Sequence, residues 1–349
     1  MKMKKALALV LAALLLVSMA ACTGTAPAAT TAATTAAAAE TAAAAETEAT
    51  EASAETESGK TYTVGICQLV QHPALDAATQ GFKDALTEAL GDAVSFNEQN
   101  ASGESVNCAT IVNGLVASQV DLILANATAP LQAAASATAD IPVLGTAVTD
   151  YASALEIDNW TGTVGGNISG TSDLAPLDQQ AAMLQELFPD AKTVGILYCS
   201  SEANSQYQVD VITGYLTEMG FTVTPYSFTD TNDVASVAQA ACASDVIYIP
   251  TDNTAASNTE SIANVVLPAK VPVVAGEAGI CGGCGVATLS ISYYDLGYAT
   301  GEMAAKVLKG EAKISEMPVQ YAPEFTKQYN AANCEALGIT VPADYTPME

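Results

Sequence analysis

Asp150, Asp252 and Glu277 each follow an apolar run where a strand should end. An acid at such a point favours a positively charged group on a bound molecule. Hydroxyls and amides gather around them: Thr128 and Ala129 in Asn126-Ala-Thr-Ala-Pro130, Thr149 in Thr146-Ala-Val-Thr-Asp150, Ser200, Ser201 and Asn204 in Ser200-Ser-Glu-Ala-Asn-Ser205, and Thr251 and Asn253 in Thr251-Asp-Asn-Thr254. Ser, Thr, Asp and Asn cap helices in any case, so each one singly fits either role, while the cluster as a whole points to a ligand. All eleven cationic side chains are Lys. With no Arg, a bound anion must rely on hydroxyls and helix-start amides. Leu69, Val70, Tyr151, Tyr198, Tyr293 and Tyr294 lie near strand ends and are candidates for an apolar wall.

Other chemistries are poorly served. The single His, His72, precedes Pro73 at a helix start, where a structural role is the default and an approach to a cleft the alternative. There is no GxSxG elbow and no GxxxxGK[ST] loop, so neither an enzyme nor a cofactor site is expected. Cys281-Gly-Gly-Cys284 reads as a glycine-rich loop that could hold a local disulfide, a redox pair or half a zinc site; without a second CxxC or a His cluster, disulfide or free thiols are preferred to metal. Cys67, Cys108, Cys199 and Cys242 fall at equivalent places in two halves of the chain and read as small buried apolar residues. Thirty-eight acids against eleven Lys leave a formal charge of -27. Phosphate neutralisation needs cations that the chain lacks, which excludes nucleic acid as a partner.

The chain starts with a basic Met1 to Lys5, an apolar Ala6 to Met19, and small residues ahead of Cys22. Residues 1–21 read as a signal peptide, with Cys22 the lipidated first residue of the mature chain in a pattern that resembles a bacterial lipobox. From Thr23 to Gly59 the chain is Ala, Thr, Glu, Ser and Pro without a large apolar side chain, so 22–59 reads as a disordered tether. Without its signal the chain keeps only eight Lys, so the membrane is met through the lipid alone.

What must position the candidate residues is β alternating with α. Thr61 to Leu69 reads as a strand, Pro73 to Leu90 as an amphipathic helix stopped by Gly91, then strand, helix and strand through Asp121 to Ala125, a helix over Ala129 to Ala139, and a strand at Ile141 to Leu144. The series then restarts. Thr63-Val-Gly-Ile66 returns as Thr193-Val-Gly-Ile196, and Ile141-Pro-Val143 returns as Val271-Pro-Val273, both 130 residues on. The expected fold class is α/β: two similar doubly wound parallel-sheet lobes with a ligand cleft between their strand ends. The expected division is 60–160 for the first lobe, with a late contribution from the C-terminal region, and 161–349 for the second lobe, the crossovers and the tail. With an anchor and a tether, this architecture reads as an extracytoplasmic solute receptor.

Specific runs carry a resemblance. Gln68-Leu-Val-Gln-His-Pro-Ala-Leu-Asp76, Thr146 to Asp150, Gly165-Gly-Asn-Ile-Ser-Gly170, Pro250 to Asn253, Val271 to Glu277 and Tyr293-Tyr-Asp-Leu-Gly297 resemble the ABC-transporter substrate-binding family that includes tryptophan-binding lipoproteins of Gram-positive bacteria. The resemblance spans Tyr62 to Pro342, with Cys281-Gly-Gly-Cys284 a departure from the usual pattern. It implies a type I periplasmic-binding-protein fold with three crossovers, an aromatic amino acid ligand, a monomer on the outer face of the membrane, and a permease and its ATPase as partners. On that reading Gln68 and Leu69 join the binding set, Glu277 is the first choice for the ligand's ammonium, and the carboxylate is met near Thr128 and Thr149. A sugar or nucleoside receptor of the same fold, or a ligand-sensing ectodomain, is the alternative.

Overall fold

A computed structural model describes residues 59–348. The expected signal peptide, Cys22 and nearly all of the expected tether lie outside these residues.

The first lobe runs β1 (Tyr62–Gln68), α1 (Pro73–Leu90), β2 (Val94–Asn100), α2 (Ser105–Ala117), β3 (Leu122–Asn126), α3 (Thr128–Ala137), β4 (Val143–Val148), α4 (Tyr151–Ala154) and β5 (Ile168–Ser172). The second runs α5 (Leu177–Leu187), β6 (Thr193–Cys199), α6 (Ala203–Glu218), β7 (Thr222–Phe228), α7 (Val234–Ala241), β8 (Val246–Ile249), α8 (Asn253–Ala256), α9 (Thr259–Ala269), β9 (Val273–Ala275), α10 (Ala278–Cys284) and β10 (Ala287–Ser290). Then α11 (Tyr293–Leu308) and β11 (Gln320–Tyr321) return to the first lobe, and β12 (Thr326–Tyr329), α12 (Ala331–Leu337) and β13 (Thr346–Pro347) finish the second. One sheet has the order β11-β5-β4-β3-β1-β2 and the other β13-β12-β10-β9-β8-β6-β7. The duplication is visible in register: β1 pairs β2 from Tyr62 with Val94 to Gln68 with Asn100, and β6 pairs β7 from Thr193 with Thr222 to Cys199 with Phe228. Both sheets are parallel except where β12 meets β10.

Alternate residues of one strand enter opposite cores. Val64 and Ile66 of β1 join Leu122 and Leu124 under α1 and α11, while Cys67 joins Ile123 under α2 and α3. Burial on both faces is why these strands read as unbroken apolar runs. The chain passes between lobes after β5, after β10 and after β11. The division expected at residue 160 therefore moves, because β5 completes the first sheet. Its sequence, Ile-Ser-Gly-Thr-Ser, has one large apolar residue and does not announce a strand.

Cys281-Gly-Gly-Cys284 is helical, not a loop: it is the body of α10. Gly283 fits there because a side chain would collide with Thr259 of α9. All seven cysteines of the described residues are free thiols, and the two in α10 are buried.

A close approach fixes the entry to the cleft. The helices α1 and α11 touch at Gly81, Gly297 and Gly301; a Cβ at Gly297 would strike the Ala78 carbonyl, and one at Gly81 the Tyr294 carbonyl. Backbone meets backbone, so the helix starts, carrying His72 and Tyr293, are held beside each other.

Candidate functional site

The strand ends of the two lobes face each other across two adjoining cavities. The inner one, about 10 Å³, is walled by His72, Leu75, Ala147, Thr149 and Asp173 from the first lobe, by Asn204, Thr251, Asp252, Asn253, Ala256 and Glu277 from the second, and by Tyr293 at the start of α11. The outer one, about 380 Å³, lies against Leu69, Val70, Thr128, Ala129 and Gln132, the segment Ser102 to Val106 that leads into α2, and Ser201, Glu202, Ala203 and Thr229 to Thr231. Asn204 and Asn253 wall both. No Lys lines either cavity.

The inner cavity is acidic and buried. Asp173, just past β5, accepts from Thr149 Oγ1 at 3.0 Å and from Tyr293 Oη at 2.9 Å. Those bonds favour its charged form, yet burial and the neighbouring Glu277 prevail and push its pKa up to about 6. Burial, Asp173 and Glu277 hold the Tyr293 phenol far above its usual range, so it stays a donor. Glu277 ends the turn after β9 and caps α10, accepting from the backbone amides of Gly279, at 2.6 Å, and Ile280. Its pKa is raised by burial, against the pull of His72 and the two amides. Asp252 caps α8 through Ala255 N at 2.8 Å and also accepts from Cys199 N and Ser205 Oγ. Burial and Glu202 raise it as well.

The second lobe's edge of the cleft is organised by Glu202. One of its oxygens accepts from Asn253 N at 3.0 Å and Asn253 Nδ2 at 2.7 Å, and the other from Thr254 N at 2.8 Å and Thr254 Oγ1 at 2.7 Å. Across the cleft, His72 Nε2 stands 3.2 Å from Asn253 Oδ1.

The structure brings Thr149, Asn204, Thr251, Asp252, Asn253, Glu277 and Tyr293 to the inner cavity, and Leu69, Thr128, Ala129 and Ser201 to the outer one. Three expected residues reach neither. Gln68 is tied inside the first lobe to Asp76, Thr79 and the Val70 carbonyl. Asp150 caps α4 through Ser153 N, and Ser200 is exposed and bonds the Phe228 carbonyl. For these two the capping and turn chemistry of Ser and Asp takes the side chain. Tyr151 is a core residue stacked on Trp160, Tyr198 is buried in the second lobe, and Tyr294 lies exposed over Asp84. Thr128 and Thr149, expected together, wall different cavities. Asp173 and Glu202 escaped the sequence reading. Asp173 follows the unannounced strand β5, and Glu202 sits inside a run read for its hydroxyls.

A family model described as ABC transporter substrate binding protein matches residues 63–345. A tyrosine-binding protein of Clostridioides difficile (strain R20291) is 35% identical over 286 residues, 81% of this chain and 82% of that protein. Among solved structures, the ABC domain in complex with L-Trp from Streptococcus pneumonia is 35% identical with a TM-score of 0.78, covering 81% of this chain and 97% of that one. The ligand-free, open structure of a substrate binding protein with adhesive properties from Clostridium difficile is 36% identical with a TM-score of 0.62, covering 82% and 100%. At nearly equal identity the TM-score is higher to the structure in complex with L-Trp than to the ligand-free, open one. Matched along both lobes and the cleft between them, the chain belongs to the ABC transporter substrate-binding protein family, whose members work outside the cytoplasm.

Proposed function

We propose that this chain is the receptor of an ABC importer for an aromatic amino acid. The observation that carries the reading is the inner cavity, where Asp173 and Glu277 face one space from opposite lobes with no Lys beside them. Buried acids with no Lys or Arg beside them favour a cation from outside, and an ammonium supplies it. The carboxylate then points to the outer cavity, where α2, α3 and α6 begin and their free amides lie. Leu69, Val70 and the Tyr293 ring are the apolar surface for the side chain. Two relatives, a tyrosine-binding protein and a domain in complex with L-Trp, support the aromatic class.

On this reading Cys22 carries a lipid, residues 22–59 are the tether, and the body acts as a monomer that delivers its ligand to a permease served by an ATPase. Membrane fractionation of a Cys22→Ser chain tests the anchor. For the ligand, calorimetry with L-Trp, L-Tyr, L-Phe and their des-amino counterparts is decisive, with glucose and a nucleoside as the other arms. The amino acids should bind and the des-amino compounds should lose roughly tenfold to a hundredfold. Binding of a sugar or nucleoside in place of any amino acid overturns the reading.

A further inference from the structure

His72 lies at the start of α1 in extended backbone, φ -162°, but its side chain makes no capping bond to the helix. The residue is 6% exposed, lines the inner cavity and reaches Asn253 of the other lobe. Its tautomer is fixed by what surrounds Asn253. A carboxylate only accepts, so the Asn253 nitrogen that meets Glu202 must be Nδ2, which leaves Oδ1 toward the imidazole. Nε2 therefore carries the proton and donates across the cleft. In a neutral ring Nδ1 is then a bare acceptor, and it is buried with no partner in the protein. Among the described residues only Asn126 Oδ1 and Thr288 Oγ1 share that condition, and neither residue walls a cavity.

An acceptor without a donor is costly to bury. Here it shares a cavity with the carboxyls of Glu277 and Asp173, which when ionised also only accept. A ligand group with several hydrogens to give would serve all three acceptors. We propose that His72 couples ligand capture to lobe closure: Nδ1 accepts a hydrogen from the ligand's ammonium while Nε2 holds Asn253 of the opposite lobe. The ligand and the cross-lobe bond then select the same tautomer of one ring, and each strengthens the other. This rests on the amino acid reading of the cleft given above.

The chain's single His makes the test direct, because nitrogen NMR of protein labelled at histidine reports His72 alone. Saturating L-Trp or L-Tyr should lock the neutral ring with the proton on Nε2 and shift the Nδ1 signal as an acceptor. Two variants separate the two nitrogens. His72→Gln keeps a donor long enough to reach Asn253 but has no acceptor at the Nδ1 position, so it should lose about tenfold in affinity while still closing in solution scattering. His72→Asn keeps an acceptor near Nδ1 but not the reach; adding Asn253→Ala to it should cost nothing more, whereas Asn253→Ala alone weakens binding. Thermal unfolding of each variant checks that it folds. Unchanged His72 signals in wild-type protein that binds L-Trp or L-Tyr overturn the inference and leave the amino acid reading intact. Wild-type protein that binds neither overturns both.

Discussion

Asp173 is a carboxyl held in an unfavourable place by two hydroxyl donors, Thr149 and Tyr293. Its pKa near 6 means the protein stabilises the ionised form less than water does. Such strain in a buried cavity suits a group that waits for a ligand's charge. Asp173→Asn should therefore split stability from affinity. Removing the buried charge should stabilise the ligand-free protein at pH 8 by on the order of 1 to 3 kcal/mol, and should weaken L-Trp or L-Tyr roughly tenfold to a hundredfold. Thermal unfolding and calorimetry on the same preparation read both. A variant that loses stability as well as affinity would mark Asp173 as a structural partner of Tyr293 and no more.

At the scale of elements, the starts of α1 and α11 set where His72 and Tyr293 stand, and the glycine contact between those helices sets the starts. A methyl at Gly297 meets the Ala78 carbonyl, so Gly297→Ala must push the helices apart. The expected cost is about 1 to 3 kcal/mol of stability, with weaker ligand binding as Tyr293 leaves Asp173. Calorimetric unfolding and ligand titration follow it, and unchanged values in both would show the contact to be slack. What was legible in the sequence follows the same physics. Strands buried on both faces are apolar runs and repeat 130 residues on, so the two lobes and most of the second lobe's site could be read. A short strand of Ile, Ser, Gly and Thr hides β5, and with it Asp173. Three glycines in seven residues hide the helix α10, since Gly is a poor helix former and only the collision with Thr259 explains one of them, Gly283. Capping and binding use the same residue types, which is why Asp150 read like Asp252 although only the latter walls a cavity.

For the whole molecule, charge and cleft pull stability the same way with pH. The native chain binds more protons than the unfolded chain wherever a carboxyl is raised. Asp173 does so between about 4 and about 6, and Asp252 and Glu277 are raised as well. Their stabilising contribution is full below the unfolded pKa and disappears as pH climbs through the folded one. Asp245, lowered by the Lys192 and Thr193 amides, and Asp344, lowered by Lys327, act in the opposite sense, but both are exposed and count for little. Self-repulsion at a formal charge of -27 also eases on acidification. The melting temperature of the ligand-free protein should therefore rise as pH falls from 8 to 5. The ligand reverses the preference, because an ammonium binds ionised acids. Its stabilising shift should be greatest at pH 8 and shrink as pH falls through about 6, the value for Asp173. Salt separates the two sources, since 1 M NaCl screens surface repulsion and leaves buried carboxyls nearly untouched. Melts across this range, with and without L-Trp and at both salt levels, should retain most of the pH slope in high salt. A slope that vanishes there would assign the effect to the surface, and a ligand shift that grows on acidification would remove the ammonium from the acids of the cleft.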